Sequence, residues 1–437
     1  MRAQPRARRQ GVVLAALAAS ALGLLSACQP SAPQAGGPGG LLWVAIDTLR
    51  ADALGSAGGG RTPHLDRLAD SGLMFERAIS SAPWTLPSFA SQFTGTVTST
   101  HGCWTFESRL GEDFVTLAEL FEEAGFATAG VASHVFFDAK HGLTQGFQEF
   151  DDDLCVSFGR QRWREVTSPE VAGRAIESLE TLAADGRPWF LFAHFFDPHE
   201  PYVIHPGSGV PQTATERQRY AGEVTFTDRH VGRVLDRLED LNLHEDTVVL
   251  LTSDHGEAFG EHPGVRRHGT SLYNEEIRVP LLLRIPGFDP RRIGQVVRTI
   301  DVFPTLVELF DLDGPPGLPG QSLLEFASGD SGRPRDALSE VRLREGRHFE
   351  SLTAGQAKWI RSLNGGTDQL FDLAEDPGEQ LNLVQSSDQR ALEWTARLDR
   401  TTALARELAG RFGIAGSVEH TPEELEHLRT MGYVDED

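Results

Sequence analysis

Five runs of apolar residues place the strongest constraint on how this chain can fold. They span residues 41–47, 127–133, 188–196, 247–254 and 280–286. The runs are continuously apolar instead of alternating, which is typical of strands buried on both faces of a parallel sheet. Segments with helical patterns, such as 62–72 and 115–125, lie between the first strands. We therefore predict an α/β fold in which a mostly parallel sheet is flanked by helices.

Reactive side chains stand at the ends of three of these runs. Asp47 ends the first run, Asp254 and His255 follow the fourth, and the third leads through His194 to His199. Ligands of open α/β sheets bind beyond the carboxyl ends of the strands, so these residues are expected to meet at one edge. A carboxylate and an imidazole placed there could share one metal ion.

A predicted helix that begins near Pro87 has Thr85 at its start, in the stretch "SAPWTLPSFASQFTG" (81–95). A hydroxyl at a helix start is commonly a structural N-cap. It can also be a nucleophile, because the positive end of the helix dipole favours negative charge. This stretch alone leaves both interpretations open.

The N-terminus has the pattern of a bacterial secretory signal over residues 1–28. Four arginines precede an uncharged run, which ends in Leu-Ser-Ala-Cys28. This ending resembles a lipobox, and the alternative is an ordinary signal peptide with a chance cysteine. We predict an exported lipoprotein of the cell envelope, at the outer membrane or periplasmic face, that contacts the membrane only through its lipid anchor. Residues 29–40, rich in Pro, Gly and Ala, are a predicted flexible tether.

The net charge of −23 excludes nucleic acid as a partner and opposes attraction to anionic lipid. Without the four arginines of the leader, 36 basic residues face 63 acidic ones, a net charge of −27. Such a chain would also repel an anionic substrate unless the site brings its own cations. A bound metal would supply them.

The sequence divides into a predicted main domain over 41–335 and a C-terminal subdomain with a helical tail over 336–437. Residues 347–373 suggest short antiparallel strands joined at an "NGG" turn, and 388–412 form an amphipathic helix. Cys103 and Cys155 could form a disulfide in an oxidising compartment, although nothing in the sequence shows that their geometry permits it.

An ordered set of motifs resembles the sulfatase family of the alkaline phosphatase superfamily. The segments are "VAIDTLRAD" (44–52), "PWTLPSFAS" (83–91), "FDPHEPY" (196–202), "TSDHGEAFGEH" (252–262), "IRVPLLLRIPG" (277–287) and "LFDLAEDPGEQLNL" (370–383). The resemblance spans about residues 41 to 385. It implies an alkaline-phosphatase-like sheet and a hydrolase in which a nucleophile that binds a metal attacks sulfur or phosphorus in line.

The same resemblance implies roles for individual residues. Asp47, Asp254 and His255 match metal-binding positions, and Thr85 matches the nucleophile and a further metal ligand. His199 matches a contact to the transferred group or leaving oxygen, and His268 lies near the position of an anion-binding Lys. His194 is a candidate for substrate binding. A second metal held by Asp197, His199 and His268 is a further alternative.

Three departures from the family pattern agree with one another. Thr48 stands where a second Asp is common, Thr85-Leu86-Pro87-Ser88-Phe89 lacks the Cys or Ser and the Arg needed for formylglycine, and His268 replaces the Lys. No formylglycine is expected. Within this ordered set of motifs, Thr85 is interpreted as the nucleophile. An imidazole ligand favours Zn or Mn, with Ca also possible.

The sequence therefore predicts a metal-dependent hydrolase of phosphate or sulfate esters that acts on an anionic substrate, with phosphoesters favoured. Three alternatives remain. They are an arylsulfatase-like hydrolase of sulfuric esters, a transferase that moves a phospho-alcohol group onto an envelope glycan or lipid, and a non-catalytic lipoprotein that binds a glycan.

Overall fold

The computed structural model describes residues 37–156, 166–329, 332–343, 346–384, 389–413 and 415–430. The predicted leader (1–28), most of the predicted tether (29–40) and the end of the C-terminal tail lie outside these residues. No helix among the described residues is long and apolar enough to cross a membrane.

Helices and strands alternate through most of the chain. The strands of the described residues are β1 (Gly40–Ile46), β2 (Leu73–Ile79), β3 (Ser108–Arg109), β4 (Ala127–Val131), β5 (Glu149–Asp151), β6 (Trp189–Phe195), β7 (Thr247–Thr252), β8 (Ala258–Phe259), β9 (Arg266–Arg267), β10 (Arg278–Arg284), β11 (Arg291–Arg298), β12 (Ala337–Arg342), β13 (His348–Ala354), β14 (Ala357–Ser362), β15 (Gln369–Asp372) and β16 (Gly416–Ser417). The α-helices there are α1 (Pro63–Ser71), α2 (Thr85–Thr94), α3 (Thr98–His101), α4 (Leu117–Glu123), α5 (Asp153–Val156), α6 (Ser168–Asp185), α7 (Glu216–Asp240), α8 (Asn274–Ile277), α9 (Val302–Leu309), α10 (Leu324–Ala327), α11 (Gln389–Ala409) and α12 (Pro422–Thr430).

The main sheet has the strand order β11-β2-β10-β7-β1-β6-β4-β5. β1 lies at its centre and pairs in parallel with β6 and with β7. β10 runs antiparallel to both of its neighbours. Residues 253–277 join β7 to β10 without a helix that crosses back over the sheet. The chain therefore enters β10 at the same end of the sheet where it leaves β7, so β10 runs in the opposite direction. The predicted mostly parallel α/β sheet is thus confirmed, with β10 as its exception.

Both faces of the main sheet are covered, which explains the continuously apolar runs. Along β1, Leu41 and Trp43 point into an aromatic-rich core shared with α2, α4 and α9. Leu42 and Val44 point into a second core shared with α1, α6 and α7. Every residue of β1 is buried, so this strand lacks the alternation of polar and apolar residues that is typical of a half-exposed sheet.

The C-terminal strands form a separate antiparallel sheet in the order β12-β13-β14-β15. The predicted "NGG" turn connects β14 to β15, and the predicted amphipathic helix is α11, which packs Leu398 against Trp359 of this sheet. Cys103 is a buried free thiol, and the side chain of Cys155 is not among those described.

Strand β12 attaches this small sheet to the main domain through three hydrogen bonds. The Glu340 N–H donates to the Ser81 carbonyl oxygen over 2.9 Å, and the Ser339 hydroxyl donates to the Ser80 carbonyl oxygen over 2.6 Å. The Glu340 carboxylate accepts the Ser99 N–H at 2.8 Å. The C-terminal sheet therefore fixes the backbone that leads into Thr85 and α2.

We predict that Glu340→Gln stabilises the protein at pH 8 and has little effect at pH 4.5. Burial, together with the nearby Glu350, raises the pKa of Glu340 to about 7, above its ordinary value of 4.5. The folded state therefore binds this proton more tightly than the unfolded chain, and the wild type loses stability as the pH rises from 4.5 through 7. Removing the charge should recover about 1–3 kcal/mol at pH 8.

Urea unfolding at several pH values measures this difference. The exposed Glu123 offers a matched control, because Glu123→Gln makes the same chemical change at a side chain that is not buried. Equal pH profiles for Glu340→Gln and the wild type would show that Glu340 does not titrate in this range.

Candidate active site

The register of the three central strands brings the predicted metal-binding residues together. Ala45 of β1 lies beside His194 of β6 and beside Thr252 of β7. Asp47 follows β1 directly, and Asp254 lies two residues beyond β7. One ligand atom from each of Asp47, His194 and Asp254 lies within 4.8 Å of the others, and all three side chains are buried. The predicted meeting at the carboxyl edge of the sheet is what the structure shows.

Serine side chains hold the loop after β7 in place. The Ser80 and Ser88 hydroxyls donate to the Asp254 carbonyl oxygen over 2.5 and 2.7 Å. The Ser253 hydroxyl donates to the His255 carbonyl oxygen over 2.7 Å. On the side chain of Asp254, Oδ1 accepts the backbone N–H of Thr48 at 3.2 Å and that of His255 at 2.9 Å. Oδ2 remains directed at the cluster.

Thr85 is the first residue of α2, and the N-cap position is taken by Trp84. The Thr85 Oγ1 atom lies 3.3 Å from Nε2 of His255, and the residue is fully buried. The hydroxyl is therefore at the cluster, at the positive end of a ten-residue helix. This geometry disfavours the N-cap interpretation of Thr85.

The His255 ring is oriented by the backbone of the next residue. Its Nδ1–H donates to the Gly256 carbonyl oxygen over 2.9 Å, which directs Nε2 at the cluster. Nε2 is 3.2 Å from Asp254 Oδ2 and 3.9 Å from Asp47 Oδ1. A backbone partner at one ring nitrogen is the usual arrangement for an imidazole that binds a metal through the other.

His268 and His199, which the sequence also predicted as site residues, lie on the side of the site next to His255. The His268 ring lies with its centroid 4.5 Å from that of His255 and 4.8 Å from that of His199. The Nδ1 atom of His199 donates to the Glu200 carbonyl oxygen over 2.8 Å. The structure thus brings together all seven residues predicted for the site: Asp47, Thr85, His194, His199, Asp254, His255 and His268.

The electrostatics of this site call for positive charge at its centre. Burial, with Asp254 beside it, raises the pKa of Asp47. Burial also opposes ionisation of Asp254 and of His255, but their mutual attraction outweighs it, lowering the pKa of Asp254 to about 2 and raising that of His255 to about 9. Burial lowers the pKa of His199 to about 3, and His268 contributes to that shift. Burial also lowers the pKa of His268, so the imidazoles of His199 and His268 favour the neutral form. The negative charge of the two carboxylates is therefore left for a cation to balance.

The donor atoms fit a divalent cation. Both carboxylate oxygens of Asp47, Oδ2 of Asp254 and both ring nitrogens of His194 have no hydrogen-bond partner among the described residues. Buried polar atoms are normally paired, so this concentration of unpaired donor atoms is unusual for a folded protein. Carboxylate and imidazole donors together are suited to Zn or Mn.

Comparison with known proteins agrees with this geometry. The model of a family described as Sulfatase matches residues 41–312. A second, described as N-sulphoglucosamine sulphohydrolase, C-terminal, matches residues 266–403. The chain belongs to the sulfatase family. It is a hydrolase of ester bonds, as the resemblance implied.

Relatives of this sulfatase-family protein match most of its length. An ulvan-active sulfatase of Formosa agariphila is 27% identical over 83% of this chain and 81% of its own. An arylsulfatase of Clostridium perfringens is 24% identical over 85% of this chain and 94% of its own. The structure of a phosphonate monoester hydrolase of Agrobacterium radiobacter, 19% identical, superposes with a TM-score of 0.72 over 85% of this chain and 96% of its own. That superposition supports the fold.

Two of the departures from the family pattern have structural counterparts in this sulfatase. Thr48 has a positive φ of 52° and donates its hydroxyl to the Asp47 carbonyl oxygen over 2.7 Å, so its side chain adds no ligand to the cluster. Phe89 is fully buried, and its ring centroid lies 5.3 Å from that of His194. The position of the formylglycine-type Arg is thus part of the aromatic core.

The alternative of a second metal held by Asp197, His199 and His268 is disfavoured, because Asp197 is engaged elsewhere. Asp197 accepts hydrogen bonds from the Thr167 N–H, the Thr167 hydroxyl and the Ser168 N–H, at 2.5 to 2.9 Å. Its carboxylate therefore satisfies the start of α6. Close by, His199 and His268 remain beside the first cluster.

A second group of potential ligands lies on the C-terminal sheet, where Glu340, His348 and Glu350 approach one another. There, Arg361 and Arg406 already bind the two carboxylate oxygens of Glu350, at 2.5 and 3.2 Å. Glu350 is therefore engaged in an ion-pair network with two arginines, which disfavours this group as a metal site.

Sequence reasoning missed two residues that border the site of this sulfatase. Glu257 is fully buried, 3.4 Å from Nδ1 of His268, and burial raises its pKa to about 8. His134 follows β4, and its ring centroid lies 6.2 Å from that of His194. The strand-end rule could have found His134, because β4 is the parallel neighbour of β6. Glu257 lies in a loop and does not directly follow a strand of the main sheet, so the same rule could not identify it.

We predict that Asp254→Asn weakens metal binding by at least about 100-fold while the fold is kept, because it removes a charged donor from the cluster. Metal content after dialysis and titration calorimetry with Zn or Mn measure the effect. Asp197→Asn is the matched control, since it alters a buried aspartate that serves a helix start. That variant should bind metal as the wild type does and lose about 1 kcal/mol of stability. Metal loss in both variants would contradict the ligand assignment.

Proposed function

We propose that this sulfatase-family hydrolase is a metal-dependent enzyme that cleaves phosphate esters with Thr85 as its nucleophile. The observation that carries the proposal is the position of the Thr85 hydroxyl, 3.3 Å from His255 Nε2 at the start of α2. Asp47, Asp254 and His255 would hold the cation beside it. Zn or Mn fits these donors better than Ca, which prefers oxygen ligands.

The anionic substrate needs positive charge that the side chains supply only in part. The chain has two lysines, Lys140 and Lys358, and they form ion pairs with Glu424 and Glu379. At the mouth of the site, Arg267 is paired with Glu200. When bound, a divalent cation would supply Lewis-acid charge that favours the alkoxide form of Thr85 and neutralises the substrate oxygens.

The steps at the chain's own atoms follow from this arrangement. Thr85 releases its proton to water and its Oγ1 forms a bond to phosphorus, while the bond from phosphorus to the leaving oxygen breaks on the opposite side and that oxygen takes up a proton from water to leave as the alcohol. His268 stands beside His199 on one wall, where an N–H of His268 could donate a hydrogen bond to the leaving oxygen. Water then attacks the phosphothreonine, releasing phosphate and restoring the Thr85 hydroxyl.

A single threonine hydroxyl excludes the formylglycine route to sulfate release, which supports a phosphate ester as the substrate. The formylglycine that the family pattern implies is a hydrated aldehyde, and its second hydroxyl can expel a bound sulfate by breaking a carbon–oxygen bond. Threonine has one hydroxyl, so its ester must be resolved by a second in-line attack at phosphorus or sulfur. The buried cation site offers the charge stabilisation that phosphoryl transfer depends on.

Hydrolysis of sulfate esters is the second candidate function, and it is supported by the names of the relatives. The Formosa protein is described as an ulvan-active sulfatase and the Clostridium protein as an arylsulfatase. A solved structure with a TM-score of 0.72 is described as bound to its substrate D-glucosamine-2-N,6-O-disulfate. A sulfated glycan is therefore the substrate class to compare with phosphoesters.

We predict that Thr85→Ala lowers kcat by at least about 10³-fold, because it removes the attacking oxygen. Thr85→Ser keeps a hydroxyl at the same place and should retain activity within about tenfold. The measurement compares an aryl phosphate, an aryl phosphodiester and an aryl sulfate, with enzyme loaded in turn with Zn, Mn and Ca.

Metal content and thermal unfolding of both variants serve as controls for the fold. Phosphoester turnover that survives in Thr85→Ala with bound metal would remove Thr85 as the nucleophile. Preferential turnover of the aryl sulfate, dependent on Thr85, would establish the second candidate function.

We also propose that the protein is a lipoprotein of the cell envelope, anchored through Cys28. The support is the basic and apolar leader that ends in Leu-Ser-Ala-Cys28. Cys28→Ser should move the protein from the membrane fraction to the soluble fraction of the envelope. A variant that stays in the membrane fraction would contradict the lipid anchor.

A further inference from the structure

The His194 ring occupies a place where an unpaired imidazole is costly. The residue is fully buried in β6; its Nδ1 lacks a hydrogen-bond partner among the described residues, and its Nε2 has only the long contact to the Asp47 carboxylate described below. The neighbouring rings of Phe89 and Phe137 have centroids 5.3 and 4.8 Å away. They provide no hydrogen-bond acceptor, so packing alone does not compensate for the lost hydration of the ring nitrogens.

One side of the ring faces the carboxylates. His194 Nε2 lies 3.4 Å from Asp47 Oδ2, and a donor atom of Asp254 also lies within 4.8 Å. Two donors that bind one cation at about 2.0–2.4 Å cannot be farther apart than about 4.8 Å, so these separations allow a shared ion. Asp47 Oδ2 lacks a hydrogen-bond partner too, so one ion between them would satisfy both groups.

Thr48 explains why a further ligand is needed. Its hydroxyl is directed to the Asp47 carbonyl oxygen and its N–H to Asp254 Oδ1, so the residue positions the carboxylates without binding a cation itself. The parallel pairing of β1 with β6 places His194 opposite Ala45, two residues before Asp47. An imidazole in that register reaches the cluster from the neighbouring strand.

We infer that His194 is a ligand of the catalytic cation, and not a substrate-binding residue as the sequence predicted. The inference rests on the proposed function, since it concerns the same cation. It adds a second imidazole to His255 and so favours Zn or Mn over Ca, because imidazole is a poor ligand for Ca.

The test is the metal affinity of His194→Phe, which keeps an aromatic ring against Phe89 and Phe137 but removes both nitrogens. Titration calorimetry should show Zn binding at least about 100-fold weaker than in the wild type. His194→Gln is the second variant, in case the larger ring of phenylalanine disturbs folding. Its affinity should also fall, and its Co-loaded form should show an altered visible absorption spectrum.

His199→Phe is the matched control, because it removes a buried imidazole that packs on Phe196 beside the same site. It should keep the metal affinity and the Co spectrum of the wild type. Wild-type affinity and spectrum in His194→Gln would overturn the inference.

The two proposals fail in distinguishable ways. Metal retained in the His194 variants, with activity that still requires Thr85, would reject His194 as a ligand and leave the proposed function intact. Metal lost in the His194 variants, with activity of the wild type that does not require Thr85, would support the ligand and reject the nucleophile.

Discussion

The burial of two carboxylates on neighbouring central strands is the constraint on which the rest of the site depends. Asp47 and Asp254 are fully buried beyond the ends of β1 and β7, close enough for each to affect the ionisation of the other. Like charges in a dry site repel, and the fold tolerates them only if positive charge is supplied. Without a cation, a protonated His255 would supply it, since the attraction of Asp254 and Asp47 outweighs burial and raises the pKa of that imidazole to about 9. A bound cation would take the place of the proton on Nε2, so metal binding and the integrity of this edge of the sheet are linked.

The support for these carboxylates comes from distant parts of the chain. Ser80 binds the Asp254 carbonyl oxygen through its hydroxyl, and its own carbonyl oxygen accepts the Ser339 hydroxyl from the C-terminal sheet. Ser88 of α2 binds the same Asp254 carbonyl oxygen. Helix α2, the loop after β7 and the small sheet are therefore connected through three serines. We infer that the C-terminal sheet positions Thr85 relative to Asp254, although it contributes no side chain to the cluster.

The sequence predicted those features that depend on burial and strand ends, and missed those that depend on pairing partners. The continuous apolarity of "LLWVAID" identified β1 and located Asp47, because a central strand has no exposed face. β2 and β11 were not predicted, since Glu76 and Arg77 interrupt one and "RRIGQVVR" is half-exposed near the sheet edge. The direction of β10 depends on the path of residues 253–277, which no local pattern reveals. Glu257 was missed because its burial arises only when that loop folds over His268.

Two of the three departures from the family pattern, at Thr48 and in the segment 85–89, lie around the cluster of Asp47, His194 and Asp254. In a formylglycine enzyme, an arginine would occupy the position of Phe89, where this chain packs an aromatic ring against His194. A positive guanidinium there would compete with a cation for the nearby carboxylates, whereas a phenylalanine leaves the imidazole as the donor that faces Asp47. Thr48 removes a carboxylate from the same cluster, which lowers its negative charge by one and makes a neutral nitrogen ligand acceptable. If the proposed function holds, Thr85, Thr48, Phe89 and His194 are parts of a single site that activates an unmodified hydroxyl.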